Sequence, residues 1–130
     1  MKAIGTIDSS KNFIDFEIEK PILRPHDLLI KVEAISINPV DTKVRKGIKG
    51  NLAEPKILGW DGFGTVVELG SETKLFKVGD KVFWAGDVTR SGSNAEFKAV
   101  DERIVGFAPK NLTKEKAVAM PLTSLTAYEL

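Results

Sequence analysis

From Lys2 to Ala108 the chain sets apolar and polar residues in short alternating runs, the period-two pattern of strands with one face in a core. KAIGTI (residues 2–7) and FIDFEIE (13–19) read as two such strands joined by the polar turn DSSKN (8–12). In the second, Ile14, Phe16 and Ile18 make the apolar face and Phe13, Asp15 and Glu17 the more polar one, which predicts half-buried antiparallel sheet. LLIKVEAISI (28–37) keeps Leu28, Ile30, Val32 and Ala34 on one face, then changes parity to Ile35 and Ile37. A parity change inside one run predicts a bulge or a stretch buried on both faces, hence a curved strand. FGTVVEL (63–69) puts Phe63, Thr65, Val67 and Leu69 together, KVGDKVFW (77–84) turns at Gly79-Asp80 into a further apolar run, and NAEFKAV (94–100) and RIVGFA (103–108) add two strands.

Two segments carry the 3.6-residue period instead. NPVDTKVRKG (38–47) offers Asn38 as N-cap, Pro39 at the first helical position, Asp41 at the third and Gly47 after a basic last turn, which predicts a two-turn helix. LTKEKAVAMPLTSLTAYEL (112–130) opens on Thr113 as N-cap, meets Pro121 as a bend or restart, and keeps apolar spacing at Leu122, Leu125 and Tyr128. No stop signal closes that pattern, so further chain is expected after Leu130. Many short strands beside few, brief helices predict a mainly β fold, a barrel or a sandwich.

Composition narrows the chemistry. With 130 residues, 42% of them hydrophobic and seven Phe and two Trp among them, the chain is sized for one domain with a real core. Its 19 basic and 18 acidic residues are interleaved, leaving no broad field for nucleic acid or an anionic membrane. The opening MKAIGTIDSS lacks an apolar h-region and no run of 18 apolar residues exists, so a soluble cytoplasmic protein is expected. Cysteine is absent, which excludes disulfides, thiol redox chemistry and sulfur-ligated metals. The sole histidine, His26 in RPHD, reads as a surface turn residue, so multi-imidazole metal sites are excluded too. Carboxylates alone remain as hard-cation ligands, but no acidic stretch has calcium-loop spacing, and metal independence is expected.

ILGWDGFGTVVELG (57–70) invites a phosphate-binding reading, because glycine lets backbone amides approach a pyrophosphate. Its Gly59, Gly62 and Gly64 run G-x-x-G-x-G, however, and lead into the β-branched TVVEL rather than a helix, which rules the loop out. The remaining local reading is a tight barrel corner in which Gly62 and Gly64 bend or pack a strand and Trp60 covers a core edge.

AISINPVDTKVRKG, ILGWDGFGTVVELGSETKLFKVGDKVF, GSNAEF and MPLTSLTAYEL follow one another in that order. Together they resemble the N-terminal, GroES-like catalytic domain of the medium-chain dehydrogenase/reductase superfamily, over nearly the whole chain. The resemblance implies a GroES-like, partly open β-barrel spanning residues 1–130, with 113–130 beginning the helical connection to an absent Rossmann domain. In the zinc alcohol dehydrogenases of that superfamily the equivalent of LGWDG carries a zinc-ligating His followed by Glu; here Trp60 and Asp61 stand there. The two ligating Cys positions hold Asn38 and Leu122, and the four-cysteine structural lobe has no counterpart between Asp80 and Asn94. NPVDTKVRKG instead is similar to the zinc-free branch of quinone oxidoreductases and enoyl-reductase-like enzymes.

That branch implies NADPH as hydride donor, no zinc, and a small-molecule quinone or enone as substrate, with a homodimer left open for the full-length protein. It places Asn38 and Thr126 near the nicotinamide and its ribose, with Asp41 and Thr123 in support, and Trp60 and Asp61 in the substrate pocket. It identifies no general acid; Lys43 is an outside candidate, since related enzymes often carry Tyr there and at Lys49, and losing both makes a smaller or anionic enone as plausible as a flat quinone. Each residue also has a plainer role: Asn38 as cap, Asp41 as dipole partner, Trp60 as packing, Thr126 as an ordinary helix residue, and Lys43, Arg45, Lys46 and Lys49 as a solvated helix end. Two rival functions stay open. One is a GroES-like binding or scaffold module, for which KGIKGNLAEPK is the only candidate mobile loop; the other is a standalone domain that has lost catalysis. The chain alone is expected to be inactive, because half the cofactor wall lies outside it.

Overall fold

The computed structural model describes residues 1–10 and 12–130; Lys11, in the turn expected between the first two strands, lies outside the described residues. The elements run β1 (Lys2–Thr6), β2 (Ile14–Glu17), β3 (Asp27–Ser36), α1 (Pro39–Gly47), β4 (Lys56–Ile57), β5 (Asp61–Leu69), β6 (Lys81–Ala85), β7 (Phe97–Asp101), a 3₁₀ turn (Glu102–Ile104), β8 (Val105–Phe107), α2 (Lys114–Val118) and α3 (Pro121–Glu129). The strands form an antiparallel three-stranded sheet, β2-β1-β4, and an antiparallel five-stranded sheet, β7-β3-β5-β6-β8. An isolated Ala3–Ala95 bridge ties β1 to the segment just before β7, giving a mainly β, partly open barrel.

Alternation along β3, β5 and β6 builds two cores on opposite faces of the larger sheet. Leu28, Ile30, Val66, Val82, Trp84 and Val100 pack together on one face, and Phe63 meets Ala117 and Val118 of α2 on the other. Each large apolar side chain buried this way contributes about 1.5–3 kcal/mol relative to an exposed one. The expected curvature of β3 is present as two register breaks against β5. Between Leu29 and Ile30 the partner skips from Glu68 to Val66, so Val67 is the extra residue; between Val32 and Ala34 the extra residue is Glu33.

These bulges correct the expected strand phase. Val67 is exposed and Val66 carries the core contact, because the inserted residue flips the parity. Ile35 and Ile37 are also exposed, the latter at 79%, so the parity change in β3 marks the second bulge and not burial on both faces. Phe16 of β2 and Ile18 just beyond it are half-buried as expected, while Ile14 is exposed. The alternation of RIVGFA begins later than expected, since Arg103 and Ile104 belong to the 3₁₀ turn.

Gly62 and Gly64 occupy close-packed positions in β5, as the corner reading requires. A side chain at Gly62 would overlap the Trp84 indole, and one at Gly64 would overlap the backbone carbonyl of Lys31. Pro121 acts as a restart: α2 ends at Val118, and α3 begins at the proline after the Ala119-Met120 turn. No helix among the described residues is long and apolar enough to cross a membrane.

Candidate active site

The N-terminus of α1, the turn before β5 and the N-terminus of α3 converge on two buried carboxylates, Asp41 and Asp61. Pro39 starts α1 with its φ already set, which leaves Asn38 extended at the cap and Asp41 on the first turn facing back. Asp41 Oδ2 accepts the Asn38 backbone N–H at 2.8 Å and Oδ1 accepts the Gly59 N–H at 2.9 Å. Gly59 reaches that position with φ at 97°, in the left-handed region, and a Cβ there would overlap the Asn94 side chain.

Asp61 opens β5 with no exposed surface. Its Oδ2 accepts Asn38 Nδ2–H at 2.8 Å and its Oδ1 accepts the Leu122 backbone N–H at 2.9 Å. Burial pushes its carboxyl above the usual aspartate value, the two hydrogen bonds oppose that rise, and the neighbouring Asp41 charge adds to it. Asn38 therefore holds the N-cap position, yet its side-chain amide is turned to Asp61, and the Asp41 N–H bonds the Asn38 backbone carbonyl at 3.0 Å.

Of the residues expected at the site, Asn38, Asp41 and Asp61 are brought together. Trp60 is buried beside them, its carbonyl accepting the Gly86 N–H at 2.7 Å and its indole N–H finding no acceptor among the described residues. Thr123 and Thr126 lie on the exposed side of α3, and their hydroxyls donate back to the helix, Thr123 to Ala119 at 2.9 Å and Thr126 to Leu122 at 3.0 Å. Lys43 is exposed on α1, and the basic end of that helix reaches the β1–β2 hairpin through Arg45, which lies 4.5 Å over the Phe13 ring. Two members of the network escape sequence reasoning, the Gly59 and Leu122 amides. The signal for Leu122 is that a helix started by Pro121 leaves first-turn N–H groups without intrahelical acceptors.

A cleft of about 1040 Å³ opens beside this network, between the β1–β2 hairpin, the second half of β3 and α1. Ile4, Phe16, Val32, Ala34 and Leu58 give it apolar walls, and it shares Asp41 with the carboxylate cluster. Trp60 and Asp61, both fully buried, do not line it.

The donor set does not fit a zinc ion. Asn38, Trp60, Asp61 and Leu122 are the positions that the resemblance equates with zinc ligands and their acidic neighbour, none of them a Cys or His, and all four carboxylate oxygens of Asp41 and Asp61 already accept N–H groups. Among the described residues no group of three or more His, Asp or Glu side chains is arranged to hold a metal.

A mainly β barrel with a short helix between β3 and β4 and a helical pair after the last strand is the architecture of the alcohol dehydrogenase GroES-like domain. The model of that family matches residues 24–122, and the chain belongs to it. A zinc-type alcohol dehydrogenase-like protein of Staphylococcus aureus is 45% identical, over 99% of this chain and 39% of its own length. The 2-methylene-furan-3-one reductase of Solanum lycopersicum is 38% identical, over 96% of this chain and 34% of its own. The quinone oxidoreductase of Coxiella burnetii superposes with a TM-score of 0.85 at 30% identity, over 99% of this chain and 43% of that one. The chain thus spans about two-fifths of the relatives it matches and corresponds to the N-terminal domain of this oxidoreductase family.

Proposed function

We propose that the whole protein is a zinc-independent, NADPH-dependent reductase of quinones or enones, cytoplasmic, and that residues 1–130 are its catalytic domain, inactive alone. In this reading residues 113–130 begin the connection to a Rossmann domain. The observation that carries it is the engagement of Asp61: both of its oxygens are bonded, to Asn38 and Leu122, which supports reading the positions that the resemblance equates with zinc ligands as a hydrogen-bond network. The likeness to a quinone oxidoreductase and to a furanone reductase supports the substrate class.

NADPH, when bound, supplies the hydride. The contribution of this chain would be a wall for the nicotinamide: Asn38 and Thr126 would hold the ring and its ribose, with Asp41 fixing the Asn38 backbone and Thr123 supporting α3. Negative charge developing on the substrate oxygen needs hydrogen-bond donors in place of a metal, each worth about 3 kcal/mol when well placed. Lys43 is the outside candidate for the general acid, and Trp60 and Asp61 lie behind the cleft without lining it.

The deciding experiment is NADPH oxidation by the full-length protein with a quinone and a short enone, with and without chelator. Turnover that survives chelation is expected. Turnover abolished by chelator and restored by zinc would sink the reading.

A further inference from the structure

We propose that Asp61 is a positioning residue, a latch that fixes the Asn38 side-chain amide and the first turn of α3 relative to each other. This rests on the reading of Asn38, Thr123 and Thr126 as cofactor-facing residues, since the latch joins the two segments that carry them. Those segments lie far apart in the sequence, one between β3 and β4 and the other after β8, and no other hydrogen bond among the described residues ties the first turn of α3 to the α1 cap.

The geometry gives Asp61 a task that other side chains perform poorly. It must accept from two donors at once, Asn38 Nδ2 at 2.8 Å and Leu122 N at 2.9 Å, in a place with no solvent to substitute. An ionised carboxylate is acceptor-only on both oxygens, whereas an amide there turns an NH₂ toward one of the two donors. Serine or alanine leaves at least one buried N–H without a partner. Asp61 also fixes which way the Asn38 amide faces: its Nδ2 end is drawn inward, so one of its two N–H groups is committed before any ligand arrives. Asp41 performs the matching task for the backbone on the other side, through Gly59.

The test is residue-resolved amide hydrogen exchange on the full-length protein without added cofactor; its failure therefore leaves the reductase reading intact, and failure of the turnover assay leaves the latch intact. Asp61→Asn is expected to speed exchange at Leu122 about tenfold or more while the β5–β6 ladder at Gly62 and Gly64 keeps its protection. The reciprocal swap, Asn38→Asp with Asp61→Asn, again gives each donor an acceptor and is expected to restore Leu122 to within about threefold of the starting protein. A residue that only filled space would not be rescued by a change at position 38. Unchanged exchange at Leu122 in Asp61→Asn, a uniform rise at all sites, or no rescue by the swap overturns the proposal. Should Asp61→Asn fail to fold, Asn38→Ala decides: a rise confined to the first turn of α3 supports the latch, and a uniform rise or none overturns it.

Discussion

Two buried polar clusters share this small barrel, and they solve the burial of charge in opposite ways. At the β3–β7 end, Asp27 accepts both arms of the Arg90 guanidinium, at 2.9 and 2.7 Å, and the Arg24 N–H at 3.0 Å. Burial alone would raise the Asp27 carboxyl, but Arg90 and the Arg24 amide outweigh it and hold it below the usual range. Lys98 is buried alongside, donating to the Ser91 carbonyl, and burial followed by the nearby Arg90 charge pushes it down to about 8. The Asp41–Asp61 cluster holds two carboxylates with N–H donors alone, and burial leaves Asp61 raised. The first cluster balances charge with charge and serves to tie a loop to a sheet. The second keeps its anions on helix starts and backbone amides, an arrangement that fixes geometry at some cost in stability.

The largest expected effect breaks the first cluster. Arg90→Ala leaves a buried, unpaired Asp27 and is expected to cost about 3–5 kcal/mol in urea unfolding at neutral pH. A cost below about 1 kcal/mol would show that Asp27 is solvated in the variant and that the pair is not a structural tie. In the second cluster, Gly59→Ala should cost about 2–3 kcal/mol, because its positive φ and the Asn94 contact both exclude a Cβ. An alanine tolerated there would mean that Asn94 and the Gly59–Asp41 bond relax without loss.

Lys98→Met has the opposite sign, an expected gain of about 1–3 kcal/mol, since it removes a buried charge. The same residue shapes the alkaline limb. Its folded value, about 8, lies below the ordinary lysine value of 10.5, so between those values the unfolded chain binds more protons and stability rises with pH. That rise should vanish in Lys98→Met; its persistence would assign the limb to other groups.

The acid limb separates the clusters. Asp27, lowered on folding, contributes stability that is present above its unfolded value and lost as pH falls through the folded one. Asp61, raised on folding, contributes stability that is full below its unfolded value and lost as pH rises through the folded one. Asp61→Asn should therefore steepen the loss of stability on acidification, and a shallower limb would contradict the direction given to Asp61. The smallest effect is at Lys43, exposed on α1: Lys43→Ala should change stability by less than about 0.5 kcal/mol, and a larger loss would tie it to the carboxylate network.

Much of the scaffold was legible because it follows local rules. Strand alternation located β1, β2, β3, β5, β6 and β7, and Asn38-Pro39 with Asp41 located α1 to within a residue. β4, two residues long, carries too little pattern to be seen. Val66 and Val67 were exchanged because a bulge is a property of the pairing of two strands, and either strand read alone keeps its parity. Leu125 and Tyr128 have helical spacing, yet both are exposed on α3. Asn38, Asp41 and Asp61 were visible as candidates, while their bonding was not.

The amino-acid sequence by itself determined the periodicities, the helix starts at Pro39 and Pro121, and the donor chemistry, since a chain without cysteine and with one histidine cannot assemble thiolate or multi-imidazole metal sites. Only the tertiary structure decided where the bulges fall, which carboxylate meets Arg90 and which meets a helix start. Caps and turns are closed by neighbours a few residues away, whereas Asp61 finds Asn38 and Leu122 only when distant strands and helices cross. The direction in which burial moves its charge then depends on who is waiting there.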